Sequence, residues 1–148
     1  MRLSPVGRDA RPSVVAARAA RCESARGSDH GAPRFTGDLD ILVRPTLDNG
    51  RRLLSAIAAF GFPTTTLTPD DVVAGNKVVE MGVVPVQIHV MSQIDGVTWE
   101  EVWQSRAAGT LGSRTVAFIG REVYLRNKRA AGRAKDLADI EALRDVDL

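Results

Sequence analysis

The sequence predicts an α+β fold, a small mixed β-sheet backed by helices on one side. Three observations predict it. An aliphatic, strand-forming run follows Gly37 and stops at Pro45. Two more apolar runs, residues 77–84 and 86–91, sit around Pro85. From Arg121 onward the spacing becomes helical and stays so to about Val146.

The first stretch stands apart from the rest. Arg2, Arg8, Arg11, Arg18, Arg21 and Arg26 are interleaved with small residues, and Pro5 and Pro12 limit regular structure. Residues 1–29 therefore read as a poorly packed basic arm or atypical N-terminus, with a short helix conceivable over residues 14–21, and residues 30–148 as one domain. A nucleic-acid-binding role for the arm is the functional alternative.

Patterning is clean thereafter. Residues 38–43 form a strand. Thr46 caps a helix from Leu47 to about Phe60, with Leu53, Leu54, Ile57 and Ala58 inward, and Gly61 and Pro63 stop it. Thr68-Pro69 opens a short turn to Val73. Thr98-Trp99-Glu100-Glu101 has capping-box spacing and starts a helix to about Ala108. Gly112-Ser113 turns a hairpin between Thr110-Leu111 and residues 114–119. Helices follow at 121–131 and 134–146, broken at Gly132. In the second, Leu137, Ile140 and Leu143 line one face and leave Lys135, Asp136, Asp139 and Arg144 on others.

With 148 residues, 44% hydrophobic and 26% charged, the chain has the make-up of an ordinary globular domain. No apolar run approaches the ~20 residues of a membrane span, so no membrane association is expected. The arginine-rich start lacks the apolar core of a secretory signal. The lone Cys22 excludes an internal disulfide and a multi-cysteine zinc site, which fits a cytoplasmic protein. Net charge is +2, but basic residues gather before Asp38 and around 121–135, which permits a polyanionic partner.

The chemistry centres on Asp38 and Asp40. Residues two apart in a strand share a face, and aspartate is unusual beside a buried run because its charge is costly to desolvate. Such a pair either faces solvent at the strand's mouth or holds a cation, and paired carboxylates suit Mg²⁺, a hard ion that takes water and phosphate oxygens as its other ligands.

The segment Arg34-Phe35-Thr36-Gly37-Asp38-Leu39-Asp40-Ile41 resembles the acid-bearing strand of the nucleotidyltransferase superfamily, whose fold is polymerase-β-like. Two further landmarks are similar in order and spacing: Val86-Gln87-Ile88-His89-Val90-Met91 with Ile94-Asp95-Gly96-Val97 and Trp103, and Ile119-Gly120 with residues 126–140. Together they resemble a small prokaryotic branch related to the nucleotidyltransferase toxins of toxin–antitoxin systems. The resemblance implies Mg²⁺ as cofactor, a nucleoside triphosphate (NTP) as substrate, an acceptor hydroxyl on tRNA, another RNA or a protein, and a cognate antitoxin as partner. Asp38 and Asp40 then hold the metal, and Lys128, Arg129, Arg133 and Lys135 are candidates for gripping phosphate or a nucleic-acid acceptor. Lys128 with Asp136 or Asp139 matches a lysine and an acid that assist the site in related toxins. For each of these basic and acidic residues, a solvated helix face with ordinary charge pairing is the alternative.

Two departures from the superfamily pattern stand out. The glycine turn that opens a phosphate-binding helix is represented only by Arg26-Gly27-Ser28, so Gly27 and Ser28 are the candidates there, and His30-Gly31 fits the expected end of that helix. His89 stands where many members carry a third carboxylate. It reads either as a partly buried sheet histidine or as the proton acceptor for the attacking hydroxyl. These departures leave a second expectation open, a catalytically inactive chain that keeps the fold as a binding module.

Overall fold

The computed structural model describes residues 14–18, 38–62, 66–83, 86–111 and 113–144, with some side chains omitted. The elements run β1 (Val14–Arg18), β2 (Leu39–Val43), α1 (Leu47–Ala59), α2 (Pro69–Ala74), β3 (Val79–Val83), β4 (Val86–Met91), α3 (Trp99–Ser105), β5 (Ala107–Leu111), β6 (Arg114–Phe118), α4 (Arg121–Ala131) and α5 (Ala134–Arg144). The architecture is mixed α+β. Sheet order is β3-β4-β2-β1-β6-β5, with β2–β4 and β1–β6 parallel and the remaining pairs antiparallel. A single register pair, Ala16 with Phe118, joins the β1 side of the sheet to the β5–β6 hairpin.

Val14–Arg18 is a strand and not the short helix expected there; it runs antiparallel to β2. Val14 and Val15 are β-branched, which favours extended backbone, and pairing on both sides decides the matter. The helix begun at Thr98 ends at Ser105, short of Ala108, because residues 107–111 are drawn into the hairpin with β6.

Helices cover both faces of the sheet, where one covered face was expected. Adjacent residues of β2 point opposite ways, and Leu42 and Val43 anchor separate cores. Leu42 packs with Trp99 and Val102 of α3 and Val123 of α4. Val43 packs with Ile57 of α1, Val72 of α2, Met81 of β3 and Val90 of β4. Burying β2 from both sides explains its near-continuous apolar run.

Caps fix the helix ends as the sequence indicates. Thr46 accepts from the Asn49 amide, and Thr68 and Thr98 each form a capping box, with Asp71 and Glu101. Ala58 is exposed, whereas Asn49 and Gly50 are buried near the start of α1. In α5 the inward positions are Asp136 and Ile140, one turn apart, while Leu137 is 53% exposed. This helix is turned from the expected orientation because a buried lysine of α4 recruits Asp136.

Candidate functional site

Asp40 and His89 are register partners on the parallel strands β2 and β4, and His89 Nδ1 lies 2.9 Å from Asp40 Oδ1. A carboxylate oxygen accepts, so Nδ1 donates in this bond and Nε2 is not used by it. Glu80 of β3 is the register partner of His89, which makes Glu80, His89 and Asp40 one row across three strands. Strand spacing of about 4.8 Å puts the Glu80 backbone roughly 10 Å from that of Asp40. Asp38 stands just before β2 and is half-buried, as is Asp40. By strand alternation both belong to the face of Leu42, the one covered by α3 and α4.

A second charged group is built at the α4–α5 junction. Gly132 adopts φ 62°, a left-handed conformation that ends α4 and lets the chain double back. The reversal brings Lys128 Nζ to 2.5 Å from Asp136 Oδ1, with side chains 7% and 0% exposed. Arg133 Nε donates to the other oxygen, Oδ2, at 2.6 Å, while the Arg133 side chain remains 62% exposed. Lys128 also lies 5.4 Å from the centre of the Tyr124 ring, within cation–π range. Burial alone would raise the Asp136 carboxyl; the bonds and charges of Arg133 and Lys128 outweigh it and hold the group at about 2. The Arg133 guanidinium is raised above its ordinary value, first by its bond to Asp136, against the opposing effect of burial, then by the negative charges of Asp136, Asp95 and Asp40. Of these charges, that of Asp40 acts least on Arg133.

Asp95 is held by an independent device. Asn127 Nδ2 donates to the Asp95 carbonyl at 2.9 Å. Gly96 has φ 72°, and a Cβ there would lie 2.4 Å from the Ala130 Cβ, so only glycine lets α4 approach this closely.

The structure therefore brings Lys128, Asp136 and Arg133 together, with the charge of Asp40 acting weakly on Arg133. Lys128 is interior and bonded to a carboxylate, and Arg133 is the accessible cation of the group. Arg129 is exposed on α4. Gly27 and Ser28, and the side chains of Lys135 and Asp139, lie outside the described residues. Glu80 and Asp95 are near His89 in the sequence without occupying the matching strand position, and sequence reasoning did not foresee that Glu80 pairs with His89 or that Asp95 acts on Arg133. Pairing β3 with β4 about Pro85 would have set Glu80 beside His89; nothing in the sequence signals the field that links Asp95 to Arg133.

Asp38 and Asp40 offer hard oxygen donors, with Asp40 Oδ2 free of the histidine. That donor set fits Mg²⁺, which completes its shell with water and phosphate. Among the described residues no group of three or more histidine, cysteine or acidic side chains is placed to cage a metal. No helix among the described residues is long and apolar enough to cross a membrane. No protein-family model, curated protein or solved structure matches the chain.

Proposed function

We propose that the chain is a Mg²⁺-dependent nucleotidyltransferase of the polymerase-β-like superfamily, moving a nucleotide from an NTP to an acceptor hydroxyl on RNA or protein. What supports this reading is the half-buried pair Asp38 and Asp40 at β2, with the charge of Asp40 acting on Arg133, a cation held by the interior carboxylate of Asp136. Asp38 and Asp40 would hold the metal, which when bound neutralises phosphate charge. Arg133, with Nε committed to Asp136, keeps its terminal nitrogens for phosphate oxygens, and Arg129 adds exposed positive charge nearby. Lys128 serves indirectly, by holding Asp136 against Arg133. The acceptor oxygen bonds to the α-phosphorus as the bond to pyrophosphate breaks, and His89 Nε2, not used in the bond to Asp40, would take the hydroxyl proton. On the toxin-related reading, a cognate antitoxin would mask this face.

Incubation with each labelled NTP, Mg²⁺ and mixed tRNA or cell extract tests the proposal. Label transfer is expected, and it should vanish in Asp38→Ala/Asp40→Ala. Labelling that persists in that variant removes these residues from the site.

A second reading follows from His89 itself. Its bond occupies one oxygen of Asp40, and among the described residues no group of three metal-ligating side chains is placed there, which suits a chain that binds nucleotide without transferring it. Calorimetric titration with NTP separates the two. Mg²⁺-dependent binding without transfer supports the second reading, and Mg²⁺-dependent binding with transfer the first.

A further inference from the structure

The sheet ends in two edges, β3 and β5, and they are built differently. An edge strand presents unpaired N–H and C=O groups, and proteins that stay single blunt it with charge, proline, a kink or a cover. On β3, Glu80 puts a charge within the strand and Gly82 takes φ 94°, outside extended geometry. The run Ala107-Ala108-Gly109-Thr110-Leu111 of β5 contains no charged residue and no proline. Its five register pairs with β6 follow one another without a shift. Among the described residues β5 pairs with β6 alone, and all its residues but Gly109 are exposed.

The hairpin decides which backbone groups face outward. Leu111 and Arg114 are register partners with only residues 112 and 113 between them, so they bond each other directly. Bonded and non-bonded pairs alternate in an antiparallel ladder. Ala107 and Gly109 therefore also bond β6, while Ala108 and Thr110 turn their N–H and C=O away from it. At Gly109 the ring of Phe118 lies 2.5 Å from where a Cβ would sit, so this part of the edge is flat.

We propose that β5 is a self-pairing edge, through which two copies of the chain join antiparallel about a two-fold axis at Gly109. Ala108 of each copy exchanges both main-chain bonds with Thr110 of the other, so every outward group of these residues is satisfied. A slide by two residues would set Ala108 or Thr110 against itself and leave the other facing a residue outside β5. Ala107 comes opposite Leu111 of the second copy. That leucine, 38% exposed in the single chain, lies diagonal to Gly109 and within reach of the Phe118 ring over it. No like charges meet along the seam, because β5 carries none. This complementarity of the strand to itself favours a second copy over a strand from another protein. The acid pair at β2 is separated from this edge by β1 and β6, so the pairing does not depend on the transfer activity.

Sedimentation velocity of the full chain, from low to high micromolar concentration and without nucleotide or metal, tests the proposal. A concentration-dependent equilibrium of monomer and dimer is expected. Ala108→Pro removes an outward donor and spares the bonds to β6, and it should weaken the dimer about tenfold. Ala108→Lys/Thr110→Lys sets like charges opposite each other in this register and should weaken it similarly. Ala108→Lys/Thr110→Glu sets opposite charges there instead, and should associate about tenfold more tightly than the all-lysine variant. Circular dichroism and thermal melting establish that each variant is folded. A chain that stays monomeric throughout the range overturns the proposal and leaves the edge to a strand of another protein. So does a folded Ala108→Pro that dimerises as the parent does, or equal association of the two charge variants.

Discussion

His89 bonds Asp40 through Nδ1 at 2.9 Å, so an imidazole occupies a position from which a carboxylate could face Asp40. His89→Asp would place two carboxylates on neighbouring strands, where like charges repel until a cation is bound. The variant should melt lower than the parent without Mg²⁺ and gain more from its addition. Thermal unfolding with and without millimolar Mg²⁺ measures this. Equal Mg²⁺ responses in parent and variant would remove the two strands from the metal site.

Lys128 and Asp136 form an interior ion pair, and breaking such a pair strands a charge in the core. Lys128→Met and Asp136→Asn should each cost about 3–5 kcal/mol in urea unfolding. Lys128→Met/Asp136→Leu should recover part of that loss because neither charge remains. Arg133→Ala, at a largely exposed side chain, should cost at most about 1 kcal/mol while weakening nucleotide binding on the proposed function.

The carboxyl of Asp136 sits at about 2 in the folded chain, below its ordinary value near 4. A depressed carboxylate stabilises the fold above its unfolded pKa, and that contribution disappears as pH falls through the folded value. Roughly 2 kcal/mol should therefore be lost between about pH 4 and pH 2. Asp136→Asn should flatten that part of the stability profile. Stability curves from pH 2 to 7 for both proteins check the slope.

Thr98 and Glu101 cap α3 reciprocally, with the Thr98 amide 2.8 Å from Glu101 Oε2. Thr98→Ala should destabilise the chain by about 1 kcal/mol, read from chemical denaturation. Since α3 seats Trp99 in the core against Leu42, the tryptophan emission should shift as well.

Local signals carried much of this structure. The capping triplets at Thr46, Thr68 and Thr98, the stop at Gly132 and the apolar run of β2 each depend on neighbours in the chain, and each was legible there. What failed depends on distant partners. Val14–Arg18 becomes a strand only because β2 and β6 flank it. Two-sided burial of β2 requires knowing that α1 and α3 fall on opposite faces, which no periodicity reveals. The orientation of α5 is set by a lysine on another helix, and a helical wheel of α5 alone favours Leu137 over Asp136 as the buried residue. For the candidate site, the carboxylate pair was visible as an odd spacing beside an apolar run. The subordination of Lys128 to Arg133 was not, because it arises from packing at the α4–α5 junction.

Leu42 and Val43 tie the placement of the acid pair to folding itself. Were β2 to shift along its neighbours by a single residue, both aspartates would rotate into the oily side formed by Ile57, Val72 and Met81, and leucine would displace valine there. Charge burial and misfit would together penalise that misalignment, so the strand cannot be threaded wrongly and still be stable. The acids proposed for chemistry thus also act as a proofreading mark for sheet assembly.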